Sequence, residues 1–331
     1  MLVAFEIVLL AVHLTCMNVA AGAPLVALWL EWKDRRGDAV APRAAQYLAT
    51  SAIVALIAGV LLGLLLGWLK WTPQLQTIWQ VQLAHKLKWG VIELVVSLIT
   101  LVGYWGWRRV AVLPTRVGFI GRSCLLMLTS TNLLYHFPPL LIIANKLADG
   151  AIQEELPGNL VTPAIFRRLM MLDETPAMTV HFALASVAMG GILLLGLALR
   201  RLKSDEDPRG ANRIAAWGSW SALLATALQL VVGLWLLVMT PPDVQAQITG
   251  SSWLPTLCFA VSLGLVIWLL RELADLALGE PTRGGMIRSM IAITLVILLM
   301  TAARQLSRPA VQSRTNNLTA ALFIPLTDSL R

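Results

Sequence analysis

Charge is what this chain has least of. Of its 331 residues only 13% are Asp, Glu, Lys or Arg, whereas 57% are hydrophobic and the mean hydropathy is +0.73. That deficit excludes an ordinary soluble domain and places the chain among polytopic membrane proteins. Cysteine is scarce too. Cys16, Cys124 and Cys258 lie in separate apolar segments without CxxC or CxxCH spacing, which argues against a disulfide framework and against covalently attached haem. There is no HExxH or carboxylate cluster for zinc or di-iron, no phosphate-binding glycine pattern, and no Ser or Cys with a nearby base. The N-terminus lacks a basic n-region and a small-residue cleavage site, so it reads as a retained membrane helix. A net charge of +8 is no nucleic-acid signal, because the Lys and Arg concentrate in short connections between apolar runs.

Those runs are the main content of the chain. Eight of them, at about 3–30, 47–69, 84–107, 120–147, 177–200, 213–239, 252–271 and 285–303, are long enough to cross a bilayer. The expected fold is an all-α bundle of about eight transmembrane helices in a single integral membrane domain. The connections after runs 1, 3, 5 and 7 are rich in Arg and Lys, counting Arg108, Arg109, Arg116 and Arg122 to the third; those after runs 2 and 6 are nearly free of them. The positive-inside rule then puts both termini outside. Residues 146–176, of mixed charge and rich in proline, read as a small structured excursion on the outer face, and 304–331 as a tail. The thirteen Trp cluster at run ends as interfacial anchors.

All four histidines fall in or at the edge of apolar runs, and this topology puts each in the outer half of the membrane. Ionisable groups there are costly and usually face a cavity, a partner or a cofactor. On the first run Glu6, His13, Met17 and Ala20 share a face. His181, in AMTVHFALASVAMGG, is followed by small residues that leave a flat slot suited to a porphyrin edge, and His13 has Ala20, Ala21 and Gly22 beyond it. Neutral imidazole is a standard haem ligand. Close helix packing through small residues accounts for the pattern equally well. On the third run Glu93, Ser97, Thr100 and Tyr104 form one polar stripe, readable as a proton path or as a seam that glues helices. On the fourth, Thr129 to Asn132 precede His136 and the bend expected at Pro138-Pro139, where freed carbonyls point to a cavity.

In order along the chain, these residues resemble the haem-bearing subunit I of cytochrome bd-type oxidases. His13, Gly22 and Glu31 in VHLTCMNVAAGAPLVALWLEWKDRRGD hold the pattern of its first helix, and Glu93 in IELVVSLITLVGYWGWRR that of its third. TSTNLLYHFPPLLIIAN is similar to its T-N-L…A-N run, His181 in VHFALASVAMGG to its low-spin haem b ligand, and ALQLVVG to its Q-x-x-x-G run. Three departures stand out. The long outer loop of quinol-oxidising members is about a dozen residues here, SSWLPTLCFAVSLG has no ligand Met, and Thr301 stands where a Glu is expected before Arg304 and Gln305. His85 occupies the place of the family's other Glu, and His136 is extra.

The resemblance implies a haem-binding respiratory cytochrome of the bacterial cytoplasmic membrane, working with other membrane subunits. It implies b-type haem on His13 and His181, with His85 and His136 as candidate replacement ligands of the iron. Glu93 is the expected catalytic acid, with Ser97, Thr100 and Tyr104 bringing protons from the cytoplasm. A periplasmic cytochrome c-type donor is expected in place of quinol, with oxygen as one acceptor. The alternative is a haem-poor paralogue that supports a true oxidase subunit; a transporter lacks support, since no inverted repeat with paired broken helices is evident.

Overall fold

The computed structural model describes residues 2–110, 115–150, 160–204 and 207–308. Among them there is helix and no strand, and eight helical stretches are long and apolar enough to span a membrane. The spanning helices are α1 (Leu2–Arg35), α2 (Ala41–Leu69), α4 (Ala84–Val110), α5 (Arg116–Tyr135) continued by α6 (Phe137–Ala148), α8 (Thr175–Ser204), α9 (Pro208–Met239), α11 (Trp253–Leu278) and α12 (Arg283–Ser307). Short helices α3 (Pro73–Thr77), α7 (Pro163–Leu169) and α10 (Pro242–Ala246) lie between them. The fourth span breaks at His136, and Pro138-Pro139 follow in the first turn of α6, where a missing N–H costs nothing. Of the expected outer excursion, 151–159 lie outside the described residues, and α7 is its helical part. The expected tail begins later than 304, because α12 runs to Ser307; 309–331 lie outside the described residues.

The spans form two rings of four. In the first, α1 packs on α2, α2 on α4, α4 on α5 and α5 on α1; in the second, α8 packs on α9, α9 on α11, α11 on α12 and α12 on α8. The rings join mainly where α1 crosses α8. These are two copies of one plan, and the sequence repeats with it at a spacing of about 168 residues, to within two. Val12-His13, Val19-Ala20 and Gly22 recur as Val180-His181, Val187-Ala188 and Gly190; Thr115-Arg116-x-Gly118 recurs as Thr282-Arg283-x-Gly285. In each half a Thr-Pro pair (Thr72-Pro73, Thr240-Pro241) opens a one-turn helix and a π turn, at Ile78–Gln82 and Gln247–Ser251, before the third span. In each half a Thr side chain caps the fourth helix, Thr115 accepting from Gly118 N–H and Thr282 from Gly285 N–H. Four spans per half return the chain to its starting side, so α1 and α8 run parallel. Asn18 meets Ser186, its own counterpart, in a 3.0 Å hydrogen bond, and Gly22 sits against Ser186 and Gly190. A Cβ on Gly22 would overlap the Ser186 backbone, so only glycine allows this approach.

Candidate functional site

The four histidines separate into two kinds of place. His13 on α1 lies over α2: its Nδ1 is 2.8 Å from the Gly59 carbonyl, which accepts its proton, and a Cβ on Gly63 would come within 2.9 Å of its Cε1. That bond leaves Nε2 with its lone pair free, the tautomer a metal-ligating imidazole adopts. His181 on α8 lies over α9 in the corresponding way. Gly233 faces its Cε1 and Nδ1, at 3.9 and 4.0 Å from a would-be Cβ, and Gln229 donates to its backbone carbonyl at 3.4 Å. Its Nδ1 is buried with no hydrogen-bond partner. Because α1 and α8 run parallel through the Asn18–Ser186 contact, and each histidine precedes that contact by five residues, the two stand at one depth.

His85 and His136 join Glu93 instead. With Lys86, Trp89 and Phe166 they line a cavity of about 230 Å³ between α4, the α5/α6 break and α7. His136 Nδ1 is 3.3 Å from Glu93 Oε2, a buried oxygen without a hydrogen bond of good geometry. Lys86 Nζ stands 4.1 Å from the Phe166 ring centre, and His85 is exposed at the start of α4, edge-on to Trp89. No group of three or more His, Cys, Asp or Glu among the described residues is arranged to hold a metal ion.

Below Glu93 the polar stripe of α4 is buried, and its hydroxyls are engaged. Ser97 donates to the Glu93 carbonyl at 2.7 Å, Thr100 and Thr129 share a 2.7 Å bond, and Tyr104 donates to Glu31 Oε1 at 2.7 Å. Glu31 is fully buried and also takes Arg122 Nε at 2.9 Å and Arg108 at 3.4 Å; Arg108 reaches Asp34 at 2.7 Å. This cluster is a correction to the reading of the basic connections. Arg122 is not a loop residue: it lies inside α5 with 1% of its side chain exposed, and Arg108 lies inside α4. Mean hydropathy hides such residues because one cation barely changes a long apolar window. The available signal was an acid at one helix end, Glu31, facing two Arg placed within a turn or two of other helix ends. The second half has a reduced version, in which Arg288 pairs with Glu272 at 2.9 Å.

No family model matches this chain, and no curated protein does. Among solved structures the fold is similar to a chain of the bd oxidase from Geobacillus thermodenitrificans, with a TM-score of 0.74, covering 97% of this chain and 93% of that one at 11% identity. At that identity the likeness is one of architecture, and its extent fits both rings at once. The chain is a multi-pass, all-helical membrane protein with the fold of a bd oxidase chain.

Proposed function

We propose that the protein is a haem-binding membrane subunit of a respiratory complex of bd-oxidase type, with His13 and His181 as iron ligands. The carrying observation is the equivalence of these two residues: same motif, same depth, same edge of the ring set against a glycine of the next helix. His13 supports ligation through its anchored Nδ1, and His181 through a buried ring nitrogen with no protein partner. Haem bound there would supply one-electron chemistry near the outer face. The chain's own contribution is to hold two neutral imidazoles in fixed orientation and to keep water from them. His85 and His136 have a different task in this reading: with Glu93 they form a polar vestibule on the outer side. Ser97, Thr100 and Tyr104 would connect it to Glu31 as a proton path. A second reading, a haem-free subunit supporting an oxidase partner, draws on the tight fit of the His13 ring on Gly63, which suits a purely structural imidazole.

The deciding experiment is a reduced-minus-oxidised spectrum with a pyridine haemochrome assay on the full chain, purified from cells with haem supply intact. A Soret band that loses intensity in His13→Ala and in His181→Ala supports ligation. A purified, folded chain with no Soret band establishes the second reading.

A further inference from the structure

A groove of about 530 Å³ runs along the membrane face between α1 and α5, lined among others by Leu28, Phe119, Ser123, Cys124, Met127 and Thr131. Its floor is almost wholly apolar, and its flanks Met127 and Leu128 are exposed. At the end of the groove where α1 finishes and α5 begins, the Arg35 guanidinium stands 5.1 Å from the centre of the Phe119 ring. Arg116 opens α5 at the same end. The acids of this end are all engaged elsewhere: Glu31 with Arg122 and Arg108, Asp34 with Arg108, and Asp38 with Arg213. Arg35 and Arg116 therefore have no carboxylate partner among the described residues. One turn deeper than Phe119, Ser123 Oγ is buried in the groove wall without a hydrogen bond.

An apolar channel, a hydroxyl one turn in and two uncompensated guanidinium groups at its mouth match, in order, an acyl chain, a glycerol ester carbonyl and a phosphodiester. The second half shows that the opening is a local feature. There Met290 stands where Ser123 does, and its Cε lies 3.7 Å from a would-be Cβ of Gly196, the counterpart of Leu28, so the chain's own side chain fills the space. We propose that the α1/α5 groove of the first half is a binding site for one anionic phospholipid, with an acyl chain along α5 and the phosphodiester at Arg35 and Arg116. The abundance of basic residues at this end puts it at the cytoplasmic leaflet, where anionic lipids are drawn to juxtamembrane arginines. The site does not depend on whether the chain binds haem.

The test uses the full chain stripped by prolonged detergent washing. Native mass spectrometry and thermal unfolding are then followed as dioleoyl-phosphatidylglycerol or dioleoyl-phosphatidylcholine is added. One phosphatidylglycerol bound in preference to phosphatidylcholine is the expected result. Arg35→Gln with Arg116→Gln should weaken phosphatidylglycerol about thirtyfold, the factor implied by about 1 kcal/mol for each arginine, and leave phosphatidylcholine unchanged. Ser123→Met, which installs the plug of the second half at the groove wall, should abolish the bound lipid and leave the elution profile intact. Equal binding of the two lipids, full retention in Ser123→Met, or a polypeptide occupying the groove in the complex as isolated would each overturn the proposal.

Discussion

The two halves share a helix order, a capping scheme, a histidine and a glycine crossing, yet they differ in how they treat charge. The first half buries Glu31 against two arginines and a tyrosine; the second keeps Glu272 with Arg288, whose side chain is 52% exposed. The acid has changed helix. Glu31 sits on the first span of its ring, where the second ring has Leu199, whereas Glu272 sits on the third span of the other ring. The same architecture thus tolerates an ionic cluster at full burial or a single pair at the edge. The backbone plan does not require the buried charge, which belongs to what the first half does: that half also holds the Glu93–His136 cavity and the open lateral groove.

The comparison can be broken most severely at the crossing of the halves. Gly22→Leu forces a side chain into the Ser186 backbone, and the expected outcome is loss of the monodisperse chain on size exclusion in detergent. Next comes the asymmetry in charge. Glu31→Ala strands buried Arg122 and should cost about 3–5 kcal/mol, read as a large drop in unfolding temperature. Glu272→Ala, beside a half-exposed arginine, should cost about 1 kcal/mol or less. Equal losses would mean that the two clusters do the same work. A smaller contrast concerns the histidines. Gly63→Ala pushes on the His13 ring from 2.9 Å and should shift any haem spectrum, whereas Gly233→Ala meets His181 at ordinary contact distance and should leave it unchanged. Smallest of all, Asn18→Ala removes one inter-half hydrogen bond and should cost about 1 kcal/mol in thermal unfolding.

Much of the plan is legible in the residues themselves. Runs of apolar residue types long enough to cross a bilayer admit little besides spanning helices, and all eight expected spans are found, each lengthened by a turn or two where helices project beyond the apolar stretch. The repeat was equally open to reading, in Val-His at 12 and 180 and Thr-Arg-x-Gly at 115 and 282, but it shows only when the chain is compared with itself. The candidate site was legible residue by residue and not as groups. Four histidines at one level suggested one assembly; the structure divides them, because His13 and His181 face their hairpin partners while His136 turns at the helix break towards Glu93.

By itself the sequence determined the number of spans, their alternation and the polar residues they carry, since hydrocarbon enforces internal hydrogen bonding and penalises each charge. Only the tertiary structure decided which helix each polar face meets. Helical periodicity states that Tyr104 shares a stripe with Glu93, but says nothing of Glu31 waiting on another helix or of Arg122 reaching it from a third. Those meetings depend on ring closure, α5 returning to α1, and on a glycine crossing at which two backbones touch.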